Sequence, residues 1–247
     1  AGARVLLLLP PGPDFLAGLF GCLYAGAAAV PCAPDIDATA QGTTDRIVAV
    51  AADADVAAVL TTTELAPGLR DRWGQDSTPP GMWFNVDALD GDHARLWVPP
   101  RVVEDDMALL QYTSGSTGRP KGVAVSAGNL AAQVANFRAI TELPAGGNVV
   151  CWMSSLHALG LGHSLLAQLV GGEAVLMTPE DFVADPLRWL AAISATEGPV
   201  FSGGPNFAYE RCSSVIGEDQ RAGLDLSGWE VALIGGERIQ EATLERF

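Results

Sequence analysis

Short apolar runs of strand character alternate with longer amphipathic stretches along almost the whole chain, and this rhythm limits the available folds more than any other feature. The run "RVLLLL" (4–9) reads as a buried strand, and "PDFLAGLFGCLYAGA" (13–27) as a helix entered through Pro13. "AAVPCAP" then reads as a short strand and exit loop. "TTDRIVAVAADA" (43–54) follows as a helix with Asp45 in its first turn, leading into the strand "DVAAVLTT" (55–62). From Glu64 to Val103 the pattern weakens: "GQDSTPPG" reads as a loop, and only "MWFNV" (82–86) looks extended. After Asp106 the rhythm returns with strands "MALLQY" and "GVAVS". The helix "SAGNLAAQVANFRAI" follows, N-capped by Ser126, with an apolar stripe of Leu130, Val134, Phe137 and Ile140. "NVVCWM", "EAVLM", "PVFSG" and "WEVALIG" are four further strands, separated by helical stretches beginning near Gly162, Phe182 and Pro205. Strands and helices in this order imply crossover units: an α/β fold of mostly parallel sheets covered by helices. No internal repeat or low-complexity tract interrupts it.

Composition excludes several function classes. The 247 residues suit one large domain or two small ones, and 49% hydrophobic against 17% charged residues is a globular balance. A net charge of −15 argues against nucleic acid or an anionic membrane as a general partner. No apolar run reaches the roughly 18 residues of a spanning helix. The opening "AGARVLLLLPPGPDF" holds too short an apolar core for a signal peptide. Cys22, Cys32, Cys151 and Cys212 form no CxxC pair and lie far from His93, His157 and His163 in sequence. Neither a zinc site nor a disulfide framework is expected, no metal-ligating residue is assigned, and a reducing cytoplasm fits.

Against this acidic background, an anionic ligand needs a local positive site. Lys121 is the only lysine in the chain, and it sits in "YTSGSTGRPKG" (112–122) between two strands. Gly115, Gly118 and Gly122 permit positive φ and close backbone approach, and successive N–H groups there can form an anion-binding nest. Thr113, Ser114, Ser116 and Thr117 add hydroxyls, and Pro120 stiffens the chain before the ammonium of Lys121. The chemistry implied is phosphate binding. It is not a Walker A loop, because Pro120 precedes the lysine, Gly122 follows it, and the next segment is β-rich. A flexible linker, the bland alternative, seldom carries a Pro-Lys pair between two strands.

The same stretch closely resembles the phosphate loop of the adenylate-forming superfamily, whose members turn a carboxylate and ATP into an acyl adenylate and pass the acyl group to a thiol. "LLLLPPGPDFLAGLFGCLYAGAAAVP", "DPLRWLAAIS", "SGGPNFAYERC" and "LDLSGWEVALIGGE" narrow the resemblance to fatty-acyl-AMP ligases, which load carrier proteins. The resemblance implies further sites. "SSLHALGL" (154–161) matches the family's histidine motif, placing His157 near the substrate carboxylate, in preference to a purely structural histidine. The family usually shows proline, tyrosine, histidine and aspartate where this chain has Ser155, Leu156, His157 and Ala158. "SGGPNFAY" is similar to a segment lining the acyl pocket. Gly203 and Gly204 would allow close approach, Asn206 and Phe207 would face the ligand, and plain core packing stays open for Phe207 and Tyr209. "LIGGERI" matches the adenine-contacting segment through Gly235, Gly236 and Glu237, with Arg238 in place of a proline. A simple strand-to-helix turn is its alternative.

The resemblance thus implies an acyl-AMP ligase requiring ATP and Mg²⁺, acting on a carboxylic acid of fatty or polyketide type with an acyl carrier protein as acceptor. Thr113, Ser114, Gly115, Ser116, Thr117, Gly118 and Lys121 would hold phosphates, Lys121 and His157 serving catalysis. The family's later motifs, including a second catalytic lysine on a mobile C-terminal domain, are not in this sequence. Residues 1–247 are therefore expected to form a partial N-terminal adenylation core without the mobile domain. The alternative is a catalytically silent adenylation-like scaffold or docking module of a larger synthase, which Ala158 and Arg238 would suit.

Overall fold

In the computed structural model, which describes residues 2–34, 41–73, 81–113 and 120–247, the alternation resolves into two parallel-sheet units, Ala1–Gln133 and Val134–Phe247. The first unit runs β1 (Arg4–Leu7), α1 (Pro13–Tyr24), β2 (Ala28–Pro31), α2 (Gln41–Asp53), β3 (Ala58–Thr61), α3 (Ala66–Arg72) and β4 (Met82–Asn85). Two 3₁₀ turns (Val86–Ala88 and Gly91–Leu96) lead to β5 (Met107–Thr113) and β6 (Lys121–Ser126). The six strands lie in the order β4-β3-β1-β2-β5-β6, parallel except for the antiparallel pair β5–β6. Leu6, Leu7, Leu8 and Leu9 are fully buried, as an all-apolar run must be when both faces of a parallel strand are covered.

In the first unit, sequence and structure differ at three helices. α1 stops at Tyr24 because the backbone turns left-handed at Gly26, whose N–H returns to the Leu23 carbonyl. α3 falls in the stretch where the pattern weakens: Pro67 and Gly68 dilute the helical signal, yet Ala66, Leu69 and Trp73 are buried. α2 begins at Gln41, which moves Asp45 past the first turn, and most of "GQDSTPPG" lies outside the described residues.

A helix α4 (Ala127–Thr141) leads into the second unit. Ser126 caps it as expected: its Oγ accepts from the Asn129 N–H at 3.1 Å, and Asn129 Oδ1 accepts from the Ser126 N–H at 3.0 Å. Its apolar stripe is only partly covered, however. Leu130, Val134 and Phe137 are half-buried and Ile140 is 82% exposed. There follow β7 (Asn148–Cys151), α5 (Ala158–Val170), β8 (Ala174–Leu176), α6 (Pro179–Ala184), α7 (Leu187–Ala195) and β9 (Val200–Gly204). α8 (Asn206–Val215), α9 (Glu218–Arg221), β10 (Trp229–Ile234) and α10 (Glu241–Arg246) complete the chain. The sheet is fully parallel in the order β10-β9-β7-β8.

Alternation along β9 sends Phe201 and Ser202 to opposite faces. Phe201 packs edge-on against Phe137 of α4, with ring centroids 4.9 Å apart. Ser202, fully buried, accepts from the Trp189 indole N–H of α7 at 2.8 Å and donates to the Val150 carbonyl of β7 at 2.6 Å. One hydroxyl thereby satisfies an indole and ties a covering helix to two strands, so the polar atom is compatible with the core. The order also creates a switch point, since the chain leaves β7 to one side for β8 and returns on the other for β9. Loops diverge there at the carboxyl ends of the strands, which is where open α/β sheets bind ligands.

Candidate functional site

The first unit carries the lysine at such an end. β5 and β6 form an antiparallel hairpin in which Thr113 lies directly opposite Lys121, and Lys121 is exposed at the mouth of the connecting segment. Ser114, Gly115, Ser116, Thr117 and Gly118 lie outside the described residues. The hairpin base is anchored just before the segment. The Tyr112 hydroxyl donates to the Asp53 carboxylate at the end of α2, and burial pushes that phenol above its ordinary range. Gly122 departs from expectation: a Cβ there would lie 3.0 Å from Leu110 Cδ1 and Tyr112 Cζ, so the close approach is to its own hairpin.

The second unit brings the remaining candidates to the carboxyl ends of β7, β9 and β10. After β7, residues 152–157 turn back so that the His157 N–H donates to the Ser154 carbonyl at 3.1 Å. His157 is the N-cap of α5, in an extended conformation and exposed, with Ala158 exposed beside it. The turn is tight enough to require glycine at position 160, where a Cβ would stand 2.2 Å from the Ser154 oxygen. The side chain of Leu159 runs under Gly236, 3.5 Å from where a Cβ of that residue would be, and Gly236 has φ 84.

The two segments identified by resemblance, 203–207 and 235–237, are bonded to each other. The Gly235 N–H donates to the Gly204 carbonyl at 3.2 Å, prolonging the β9–β10 ladder past its last strand residue. The Phe207 N–H donates to Glu237 Oε1 at 2.7 Å. A carboxylate accepting from the first turn of α8 satisfies a donor that the helix cannot, in a favourable position relative to its dipole. Glu237 is therefore occupied as a helix cap.

Asn206 also departs from expectation. It is 2% exposed, its Oδ1 accepts from the Gln240 N–H at 2.8 Å, and its Nδ2 donates to Thr243 Oγ1 at 3.3 Å. Both ends of the amide bond to the chain that follows β10. Phe207 does project outward, 44% exposed, with its ring 5.9 Å from Trp152. Tyr209 is core: it is 3% exposed and its hydroxyl donates to the Leu233 carbonyl at 2.6 Å. Gly203 and Gly204 are needed for packing, since Cβ atoms there would lie 2.2 Å from the Leu233 oxygen and 2.8 Å from Trp152 Cζ2.

Two further polar side chains stand among these residues. Trp152, the first residue beyond β7, is 4% exposed and stacks on Phe182 at 4.0 Å. Its Nε1 has no hydrogen-bond partner among the described residues. His163 of α5 is 3% exposed; its Nδ1 meets the Leu159 carbonyl at 2.7 Å, and its Nε2 is likewise without a partner among the described residues. Burial pushes the imidazole down to about 4, against the opposing pull of the Leu159 carbonyl. Sequence reasoning assigned neither residue to the site, although Leu159 and His163, four apart, share a face of any helix that contains both. Among the described residues no three His, Cys, Asp or Glu side chains converge as a metal site, and no helix is long and apolar enough to cross a membrane.

Comparison with known proteins agrees with this fold. A medium-chain-fatty-acid–[acyl-carrier-protein] ligase, JamA of Moorena producens, is 35% identical over 247 residues, covering 99% of this chain and 42% of that protein. The long-chain-fatty-acid–AMP ligase FadD32 of Mycolicibacterium smegmatis is 37% identical over 253 residues, covering 100% of this chain and 40% of that protein. The chain thus spans about 40% of the length of such relatives. Among solved structures, the fatty acyl-adenylate ligase of L. pneumophila, in complex with acyl adenylate and pyrophosphate, superposes with a TM-score of 0.86 at 32% identity. The match covers 99% of this chain and 42% of that one. The family model described as AMP-binding enzyme matches residues 1–247, end to end, and the chain belongs to that family.

Proposed function

We propose that residues 1–247 are part of the N-terminal adenylation core of an enzyme that activates a carboxylic acid as its acyl adenylate. ATP is consumed and the acyl group goes to the thiol of an acyl carrier protein. One observation carries the reading. The loops leaving β9 and β10 at their carboxyl ends are bonded together through Gly235 to Gly204 and Phe207 to Glu237, and the segment after β10 packs on the first turn of α5 behind His157. In a member of the AMP-binding family, this is a ready-built wall for a nucleotide joined to an acid.

The roles follow from chemistry. Lys121, with Thr113 and the hydroxyls and N–H groups of Ser114, Gly115, Ser116, Thr117 and Gly118, takes the β- and γ-phosphates. Backbone at Gly235 and Gly236 lies along adenine, while Gly203, Gly204 and Phe207 border the acid. His157 stands beside the reacting carboxylate. A carboxylate oxygen forms the bond to the α-phosphorus as the bond to the β-phosphate oxygen breaks, and pyrophosphate leaves with the electron pair. Orientation and charge stabilisation supply the rate. Magnesium would accompany the phosphates of ATP, and no step is assigned to it. A cytoplasmic setting is part of the proposal, in keeping with four free and buried cysteines.

Calorimetry tests it. Lys121→Ala is expected to weaken binding of ATP–magnesium by about 10- to 150-fold, the worth of a charge-assisted hydrogen bond. A non-hydrolysable acyl adenylate, which lacks the outer phosphates, should lose far less. Equal losses for both ligands, or none for ATP, would refute the assignment of Lys121.

A further inference from the structure

One buried polar atom without a partner among the described residues, and unused by the nucleotide chemistry, is Nε2 of His163. Its partner on the other ring nitrogen is the Leu159 carbonyl, at 2.7 Å, which can only accept. Nδ1 therefore carries the hydrogen, and in the neutral ring Nε2 is a bare lone pair. Burial keeps the ring neutral. The imidazole lies against Phe201, ring centroids 4.7 Å apart, and Phe201 packs on Phe137, so the surroundings are apolar. An acceptor left without a donor in such a setting is costly, and a core position could hold leucine or phenylalanine at no such cost.

Its place in the fold gives the atom a use. Leu159, whose carbonyl orients the ring, touches Gly236 in the segment proposed to meet the nucleotide. Phe201, which the ring packs on, shares a face of β9 with Gly203, proposed to border the acid. His163 thus lies one turn of α5 beyond Leu159, on the helix that His157 caps. Six residues separate it from His157, about 9 Å along a helix axis. We propose that His163 is a specificity-determining residue whose Nε2 accepts a hydrogen bond from a hydroxyl borne partway along the acyl chain. The preferred substrate class is then a mid-chain hydroxy acid. The proposal rests on the acyl-adenylate reading above. A site built to bond a substrate hydroxyl discriminates against the analogue lacking it, because its own polar group then stays unpaired.

The experiment compares two non-hydrolysable acyl adenylates of equal chain length, one saturated and one hydroxylated at mid-chain, by calorimetry on this chain and on His163→Leu. The wild type is expected to bind the hydroxylated analogue about three- to tenfold more tightly, the worth of one neutral hydrogen bond. His163→Leu should lose that preference and keep its affinity for the saturated analogue. As a readout independent of the variant's folding, the ¹⁵N resonance of Nε2 in the wild type should shift with the hydroxylated analogue and not with the saturated one. Equal wild-type affinities with an unmoved Nε2 resonance would overturn the specificity proposal and leave the adenylate reading standing. Failure of both analogues to bind would overturn both.

Discussion

Asn206 offers a test that separates scaffold from ligand contact. The substitution is Asn206→Ala. It removes the acceptor of the Gln240 N–H at 2.8 Å and the donor to Thr243 Oγ1 at 3.3 Å. Gln240 is exposed, so water can replace the lost acceptor, and that bond is worth about 1 kcal/mol net. Thr243 is fully buried, so its hydroxyl loses a partner that water cannot supply, at about 1–2 kcal/mol. The sum is about 2–3 kcal/mol, which for a chain of this size lowers the melting temperature by about 4–12 °C. Scanning calorimetry of the ligand-free protein measures it. A double-mutant cycle with Thr243→Val isolates the shared bond, since a second loss at a coupled pair is smaller than the sum of the single ones. The reasoning is refuted if the alanine variant melts within about 1 °C of wild type while its affinity for an acyl adenylate falls. In that event the Asn206 amide serves the ligand and not the segment after β10.

Other expectations concern α5 and the buried thiols. Gly160→Ala places a methyl 2.2 Å from the Ser154 oxygen and should cost about 3 kcal/mol in a urea melt, whereas Gly162→Ala on the same helix meets nothing within 4 Å and should stabilise by about 1 kcal/mol. His163 titrates at about 4 when folded and 6.5 when unfolded, so the unfolded state binds the extra proton. The resulting stability is present in full above pH 6.5 and lost as pH falls towards 4, about 3 kcal/mol in all. Denaturant melts of wild type and His163→Phe across that window should show a steeper slope in the wild type. Burial pushes the thiols of Cys151 up to about 11 and of Cys22 and Cys212 up to about 12, and Cys32 is also buried. A thiol reagent at pH 7 should therefore modify no cysteine of the folded protein and all four after denaturation.

How far the chain could be read in advance depended on how local each signal was. The run at 4–9 announces a buried parallel strand because covering both faces demands an apolar sequence, and β1 forms within it; "NVVCWM" and "PVFSG" also read as strands, and β7 and β9 form there although Ser202 interrupts the apolar run. The placing of Lys121 between two strands was likewise legible, since turn chemistry and strand propensity act over a few residues, although their antiparallel pairing was not. The Ser126 cap was readable for the same reason. The stripe of α4 was equally local, but its periodicity could say only that one face is apolar, not that the fold covers it; Ile140 is left exposed.

The roles of Asn206 and Glu237 were decided by partners 30 to 37 positions away, Phe207 to Glu237 and Asn206 to Gln240 and Thr243. Polar residues in a ligand-type motif read as ligand contacts until the fold supplies a nearer donor or acceptor. His163 is the converse case, unremarkable in sequence and distinctive only once α5 packs on β9 and leaves Nε2 buried without a partner among the described residues. Period and turn chemistry belong to neighbours along the chain. Whether a polar atom is satisfied depends on what folding brings within about 3 Å of it, and that is set by tertiary structure.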